Sequence, residues 1–212
     1  MIVYNFIKNH KLRDYGILRE GSSNVITEPV SLNEAKAHLR IDSSFTSDDT
    51  YITTLISVAR SICENYVGYL LAYNDSLVYF LDKFPDNEVI YLNGVAFLDS
   101  GTTVIKYYDN NDSLTTLSAS KYSVDEKSIP SRIFLKEPES FPDTSSSIPN
   151  AVRVEFEAGS QGGDLPKAIY QAILLTIGHY YENRQNVVVG GRGYEIPMTA
   201  EYLLNPFRVI NI

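Results

Sequence analysis

The sequence holds a single cysteine, Cys63, no tryptophan, and no run of Lys and Arg long enough to form a basic face. One thiol allows no intrachain disulfide, and nothing points to an oxidising compartment. The formal net charge of −8, from 26 acidic and 18 basic residues, argues against tight DNA binding. Affinity for a phosphate backbone comes largely from Lys and Arg displacing counterions. Contact with passing DNA is still allowed. No apolar run approaches the roughly 20 residues that span a bilayer. The N-terminal "MIVYNFIKNHKLRDYG" lacks the continuous apolar core of a signal peptide. These absences lead us to expect a soluble protein, made and used in a cytoplasm, with no membrane partner.

Sequence signatures of catalysis are also missing. There is no H-E-x-x-H, C-x-x-C or G-x-S-x-G, and the three histidines are His10, His38 and His179. No catalytic residue, metal site or cofactor is expected, and His179 reads as a packed residue. Cys63 falls on an apolar helix face and reads as an inert core thiol. "GGRG" at 190–193 lacks the G-x-x-x-x-G-K-[ST] pattern and reads as a flexible linker; a second reading is that it orders, with the "NVVV" before it, on contact with a neighbouring subunit or the portal. "DNND" at 109–112 lacks calcium-loop spacing and reads as a hairpin turn. Of Asp42, Asp48 and Asp49, the last two are explained by helix capping.

What is present is ordinary core-forming material, 44% hydrophobic, with 16 tyrosines. Tyrosine joins a large apolar body to one hydrogen-bonding tip and so suits partly hydrated interfaces. At 212 residues the chain suits one domain, or a small domain carrying an insertion.

The chain order is arm, helix, helix, β insert, helix, helix. Residues 1–29 read as an arm with at most a strand or two. In "VSLNEAKAHLRID" the pair Ser31 and Glu34 forms a capping box, opening a short helix over about 31–40. Its buried side is read as Ala35, Leu39 and Leu32. Thr46 or Ser47 then caps a long helix over about 48–70. Its apolar face is Ile52, Leu55, Ile56, Ala59, Ile62, Cys63, Tyr66 and Val67. From about 76 to 158 the period turns to β, with about six antiparallel strands. In "AVRVEFEAG" the residues Val152, Val154 and Phe156 alternate with Arg153, Glu155 and Glu157, giving one buried and one wet face. Helical spacing returns in "LPKAIYQAILLTIGHYYENRQ" at 165–185, read as a helix over 165–184 with Pro166 in its first turn. A hinge-like loop, "NVVVGGRGYEIP", and a short helix, "MTAEYLL", close the chain before Pro206. The fold class is α+β: a small four-helix core with an antiparallel β unit inserted between the second and third long helices. The division is 1–29 arm, 30–73 with 164–212 helical core, and 74–160 inserted β domain.

Three pieces of this sequence resemble the phage head–tail connector (adaptor) family. They are the "EAKAHLR" helix, the "AIYQAIL" helix ending in "YENR", and the closing "PMTAEYLLNPFRV". They occur in the family's order over roughly residues 29–72 and 164–209; the β insert is less specific. The resemblance implies a non-enzymatic virion protein of the neck, between capsid and tail, assembled in the host cytoplasm. It implies a self-assembled ring, usually twelvefold, docked beneath a portal protein. Such a ring extends the channel for double-stranded DNA and seats the next neck or tail protein, a stopper or tail-completion protein.

Physical chemistry leads the same way. A four-helix module this small is marginal alone, and an apolar helix such as 165–184 gains from cover by sister copies. Head-to-tail contacts close into a ring when their rotation divides the circle. A lumen lined by Asp and Glu repels phosphate and lets DNA slide. Candidate oligomer or portal contacts are Tyr180, Tyr181, Glu182, Arg184, Arg192, Tyr194, Phe207 and Arg208, with the terminal "NPFRVINI" read as a mobile docking tail. For Glu182 and Arg184 the plainer reading is a solvated helix end, where an exposed pair contributes only about 0–1 kcal/mol. Two rivals are a carbohydrate- or host-binding module carried by the β insert, and a hydrolase using scattered Asp, Glu and His; no motif favours the second.

Overall fold

The computed structural model describes residues 17–19, 26–160, 164–184 and 198–209. The class is α+β, with four α-helices among the described residues and strands paired antiparallel. The chain divides into two compact units, residues 1–26 with 73–159 and residues 27–72 with 160–212.

The second unit is helical. Helix α1 spans Leu32–His38 and starts at the expected capping box. The Ser31 N–H donates to Glu34 Oε2 at 2.8 Å, and the Glu34 N–H donates to Ser31 Oγ at 3.3 Å. It ends in a Schellman pair: Arg40 N–H reaches the Ala37 carbonyl at 3.2 Å, and Ile41 N–H the Lys36 carbonyl at 2.9 Å. Arg40 sits at φ 58°, the left-handed conformation that this ending requires. The buried side differs from expectation. Ala35 is buried, but Leu32 and Leu39 are half-exposed, and Lys36 is buried. An ammonium tolerates burial only when its donors are satisfied. Lys36 Nζ reaches the Ser43 carbonyl at 3.0 Å, the Phe45 carbonyl at 2.6 Å and Asp49 Oδ1 at 2.8 Å. Lys36 thus staples the α1–α2 loop, a role its charge hid in the sequence.

Helix α2 spans Asp49–Val67. Neither Thr46 nor Ser47 caps it: the N-cap is Asp48, whose side chain makes no capping bond. It stops at Val67 rather than near 70 because Gly68 adopts φ 89° and closes the turn on the Glu64 carbonyl at 2.8 Å. The expected apolar face is buried except Ile62 and Tyr66, which are half-exposed. Two charged residues join it. Arg60 Nε lies 2.8 Å from Glu28 Oε2, and Arg60 Nη1 lies 2.6 Å from Glu64 Oε2. Glu64 Oε1 accepts the N–H groups of Leu71 at 2.9 Å and Ala72 at 3.2 Å. The buried pair therefore also ties down the chain leaving α2.

Helix α3 spans Lys167–Glu182, with Pro166 at its N-cap rather than inside its first turn. Its stripe Ile169, Ala172, Ile173 and Ile177 is fully buried, and Thr176 Oγ1 returns to the Ala172 carbonyl at 2.8 Å. The chain itself therefore hides the centre of the apolar face, while Tyr170, Leu175, Tyr180 and Tyr181 at its margins are half-exposed. Helix α4 spans Met198–Leu204, buries Ala200 and Leu204, and runs into a 3₁₀ turn at Asn205–Phe207.

The first unit is built of strands. One sheet orders β1 (Ile17–Arg19), β3 (Tyr73–Leu81), β9 (Val152–Ala158), β5 (Val104–Tyr108) and β6 (Leu114–Thr116), with β2 (Ile26–Thr27) also beside β3. A second sheet orders β4 (Val89–Leu92), β8 (Ser131–Leu135) and β7 (Tyr122–Asp125). The insert thus has seven strands, not six. The extra one, β6, is a three-residue partner of β5 across the "DNND" hairpin. There Asp109 Oδ1 accepts the N–H groups of Asn111 at 2.8 Å and Ser113 at 3.0 Å, the expected turn chemistry. Buried Tyr122 on β7 links the sheets by donating to the Thr103 carbonyl at 2.9 Å. On β9 the alternation holds, with Val152, Val154, Phe156 and Ala158 buried. The opposite face is half-buried rather than wet. Lys106 Nζ pairs with Glu155 at 2.6 Å, and the Tyr73 hydroxyl donates to Glu157.

Candidate functional site

The "YENR" end of α3 meets the start of α2 in one polar–aromatic knot. The Tyr51 hydroxyl donates to the Tyr180 carbonyl at 3.1 Å. The Tyr181 hydroxyl donates to Asp48 Oδ2 at 2.5 Å, and Arg184 Nη2 reaches the same oxygen at 3.2 Å. The Arg184 guanidinium also lies 4.6 Å from the Tyr51 ring centroid and 5.2 Å from that of Tyr181. A guanidinium over tyrosine faces gains cation–π attraction while its edge stays free for hydrogen bonds. The hydrogen bond to Asp48 holds the Tyr181 pKa above its ordinary value. Asp48 is thus drawn away from capping by two partners that follow it by more than 130 residues.

Glu182 is exposed at the last position of α3, where a negative charge opposes the helix dipole. Phe207 is half-exposed in the 3₁₀ turn, and Arg208 is exposed with its guanidinium 5.4 Å from the Tyr66 ring centroid. Val209 N–H donates to the Val67 carbonyl at 2.8 Å. Residues 205–209 of the expected mobile tail are therefore folded back on the end of α2. Arg192, Tyr194 and the "GGRG" loop lie outside the described residues. Among the candidates, Tyr180, Tyr181 and Arg184 come together, with Glu182 beside them, while Arg208 sits at another place, over the Tyr66 ring, just after Phe207 in the 3₁₀ turn.

The sequence reading missed Asp48 and Tyr51 as partners of the "YENR" end. The signal was faint: an Asp at a helix start already has a local explanation. It also missed Arg60 and Glu64, although their i,i+4 spacing on an otherwise apolar face marks a buried ion pair. Cys63 matches expectation, fully buried, with its pKa pushed up to about 12 by burial. Among the described residues no group of three or more His, Cys, Asp or Glu is placed to hold a metal ion, and no helix is long and apolar enough to cross a membrane.

Residues 29–116 match the model of a family described as phage gp6-like head-tail connector protein. Among curated proteins, none matches this chain significantly in sequence. Solved structures do match in fold. A chain from the neck of an empty GTA particle computed with C6 symmetry aligns with TM-score 0.71 at 17% identity, covering 92% of this chain and 96% of the other. A chain from the virion of a native gene transfer agent particle gives TM-score 0.72 at 17% identity, with the same coverage. A chain from the neck of a native GTA particle computed with C12 symmetry gives 0.59 at 17% identity, covering 89% of this chain and 97% of the other. The resemblance read from the motifs is thereby borne out: this chain is similar to the gp6-like head–tail connector proteins.

Proposed function

We propose that this protein is a head–tail connector, a structural component of the neck of a phage-like particle. It acts by self-association and docking rather than by catalysis. Copies form a ring beneath the portal protein, extend the channel for double-stranded DNA, and seat the next neck or tail protein. The observation that carries this reading is a fold similar over 92% of the chain to a chain from the neck of a particle. It is joined to a connector-family match over residues 29–116. Neck structures computed with C6 and with C12 symmetry are both compatible with a twelve-copy ring.

The residues fit such a role. The tie of Tyr181 and Arg184 to Asp48 fixes the end of α3, so that Glu182 is held outward at a defined place. The excess of acidic residues suits a conduit that repels phosphate. Glu182, Arg184, Arg192 and Tyr194 are the proposed contacts between copies or with the portal, and Phe207 and Arg208 the proposed portal contacts. Native mass spectrometry of the full chain with its cognate portal tests the reading. The expected mass is that of one portal plus twelve copies. A chain that stays monomeric and never joins the portal overturns it.

A further inference from the structure

The helical unit hides its main apolar stripe, yet two side chains of its last helix stand out. Met198 is 55% exposed and Tyr202 is 77% exposed, the highest exposures among the large hydrophobic residues described. They lie at i and i+4 of α4, on one face, with Glu201 beside them. A second exposed group lies on the outer face of the three-stranded sheet. Tyr91 on β4 is 45% exposed and Phe134 on β8 is 40% exposed. Both stand on the face opposite the buried Ile90, Leu92, Ile133 and Leu135. In register, Tyr91 faces Arg132 and Val89 faces Phe134, so the two aromatic side chains are diagonal neighbours, with Arg132 directly opposite Tyr91 and two residues before Phe134.

Resting on the connector reading, we infer that α4 of one copy docks on the outer face of the β4–β8–β7 sheet of the next copy. A head-to-tail ring needs two different surfaces on each subunit, one complementary to the other. These two are unlike in shape, a helix ridge and a sheet face, and alike in carrying uncovered aromatic area, which marks interaction surfaces. Their charges also complement. Glu201 flanks the helix pair, and Arg132, the cross-strand partner of Tyr91, has a 45% exposed side chain whose Nε lies 2.8 Å from Asp125. The occupant of the sheet face is thus the Met198–Tyr202 ridge of a sister copy.

The one native thiol, Cys63, is fully buried, so introduced surface cysteines report on a clean background. Particles are assembled with Phe134→Cys, with Tyr202→Cys, and with both, then treated with a short bis-maleimide. The double variant is expected to yield a ladder of covalent multimers extending beyond the dimer, and neither single variant any multimer. Adding Glu201→Lys to the double variant is expected to lower the ladder several-fold. Monomer alone from the double variant in particles whose neck contains the chain overturns this contact and leaves the connector reading standing. A dimer from either single variant, which signals a like-to-like contact, overturns it too. Absence of the chain from the neck overturns the connector reading and this contact with it.

Discussion

The hydroxyl of Tyr181, on the last turn of α3, donates to the carboxylate of Asp48 at the first turn of α2. Arg184 reaches the same oxygen and stacks over Tyr51 and Tyr181. A helix N-cap normally uses its carboxylate on its own free N–H groups. Here that carboxylate holds the end of another helix instead. The "YENR" motif is thereby an intrachain clamp between α3 and α2.

Removing the Tyr181 hydroxyl tests the clamp. Tyr181→Phe keeps the ring and is expected to lower stability by roughly 0.5–1.5 kcal/mol in urea unfolding. The pH dependence has a definite sign. The Tyr181 pKa is raised in the folded state above the ordinary 10.0. The contribution is therefore fully present below pH 10 and is lost as pH rises through the folded value. Wild type should lose stability more steeply than Tyr181→Phe above pH 10. Parallel curves there would show that the hydroxyl does not depend on Asp48.

The capping box of α1 gives the opposite sign. Hydrogen bonds from Ser31 hold the Glu34 pKa below its ordinary value of 4.5. A depressed carboxyl contributes stability that is present above its unfolded pKa and is lost as pH falls through the folded one. Ser31→Ala is expected to cost about 1 kcal/mol at neutral pH. It should also flatten the acid limb of the stability curve below pH 4.5. Equal acid limbs for variant and wild type would dissociate Glu34 from the cap.

Much of this fold is legible in the sequence, and the failures have physical causes. Period and capping residues set α1, α2, α3 and the β9 alternation, because those signals lie within a few residues of one another. The short β6 was missed because three half-polar residues, Leu114–Thr116, carry almost no period. Lys36, Arg60 and Glu64 were missed because charge reads as exposure until its partners are known, and Lys36 and Arg60 find theirs partly in loops. The candidate site divides the same way. The tyrosine and arginine of the "YENR" end were visible, but Asp48 and Tyr51 lie more than a hundred residues away in sequence. Nothing local announces that contact.

The buried Arg60–Glu64 pair predicts unequal effects from its two members. Arg60→Met strands Glu64 as an uncompensated buried carboxylate and is expected to cost about 3–5 kcal/mol. Glu64→Gln keeps an oxygen for the Leu71 and Ala72 N–H groups and leaves Arg60 its bond to Glu28, so its cost should be clearly smaller. Urea midpoints of the two variants decide the matter. If Glu64→Gln proved as damaging as Arg60→Met, the charge of Glu64 would matter more than its hold on the chain after α2.

The closing segment has a structural part and a proposed functional part, and truncation separates them. Ending the chain after Leu204 removes the Val209 bond to the Val67 carbonyl and the Arg208 contact with Tyr66. The cost should be about 1–2 kcal/mol, one hydrogen bond plus one exposed cation–π contact. The helical core remains, since Ala200 and Leu204 stay buried in α4. The truncated chain should therefore keep its circular dichroism spectrum with a lowered melting temperature, and should fail to bind the portal in co-sedimentation. Arg208→Ala should lose the Tyr66 contact alone, with a smaller thermal shift and weakened portal binding. Portal binding that survives truncation would make the tail a cap for α2 and nothing more.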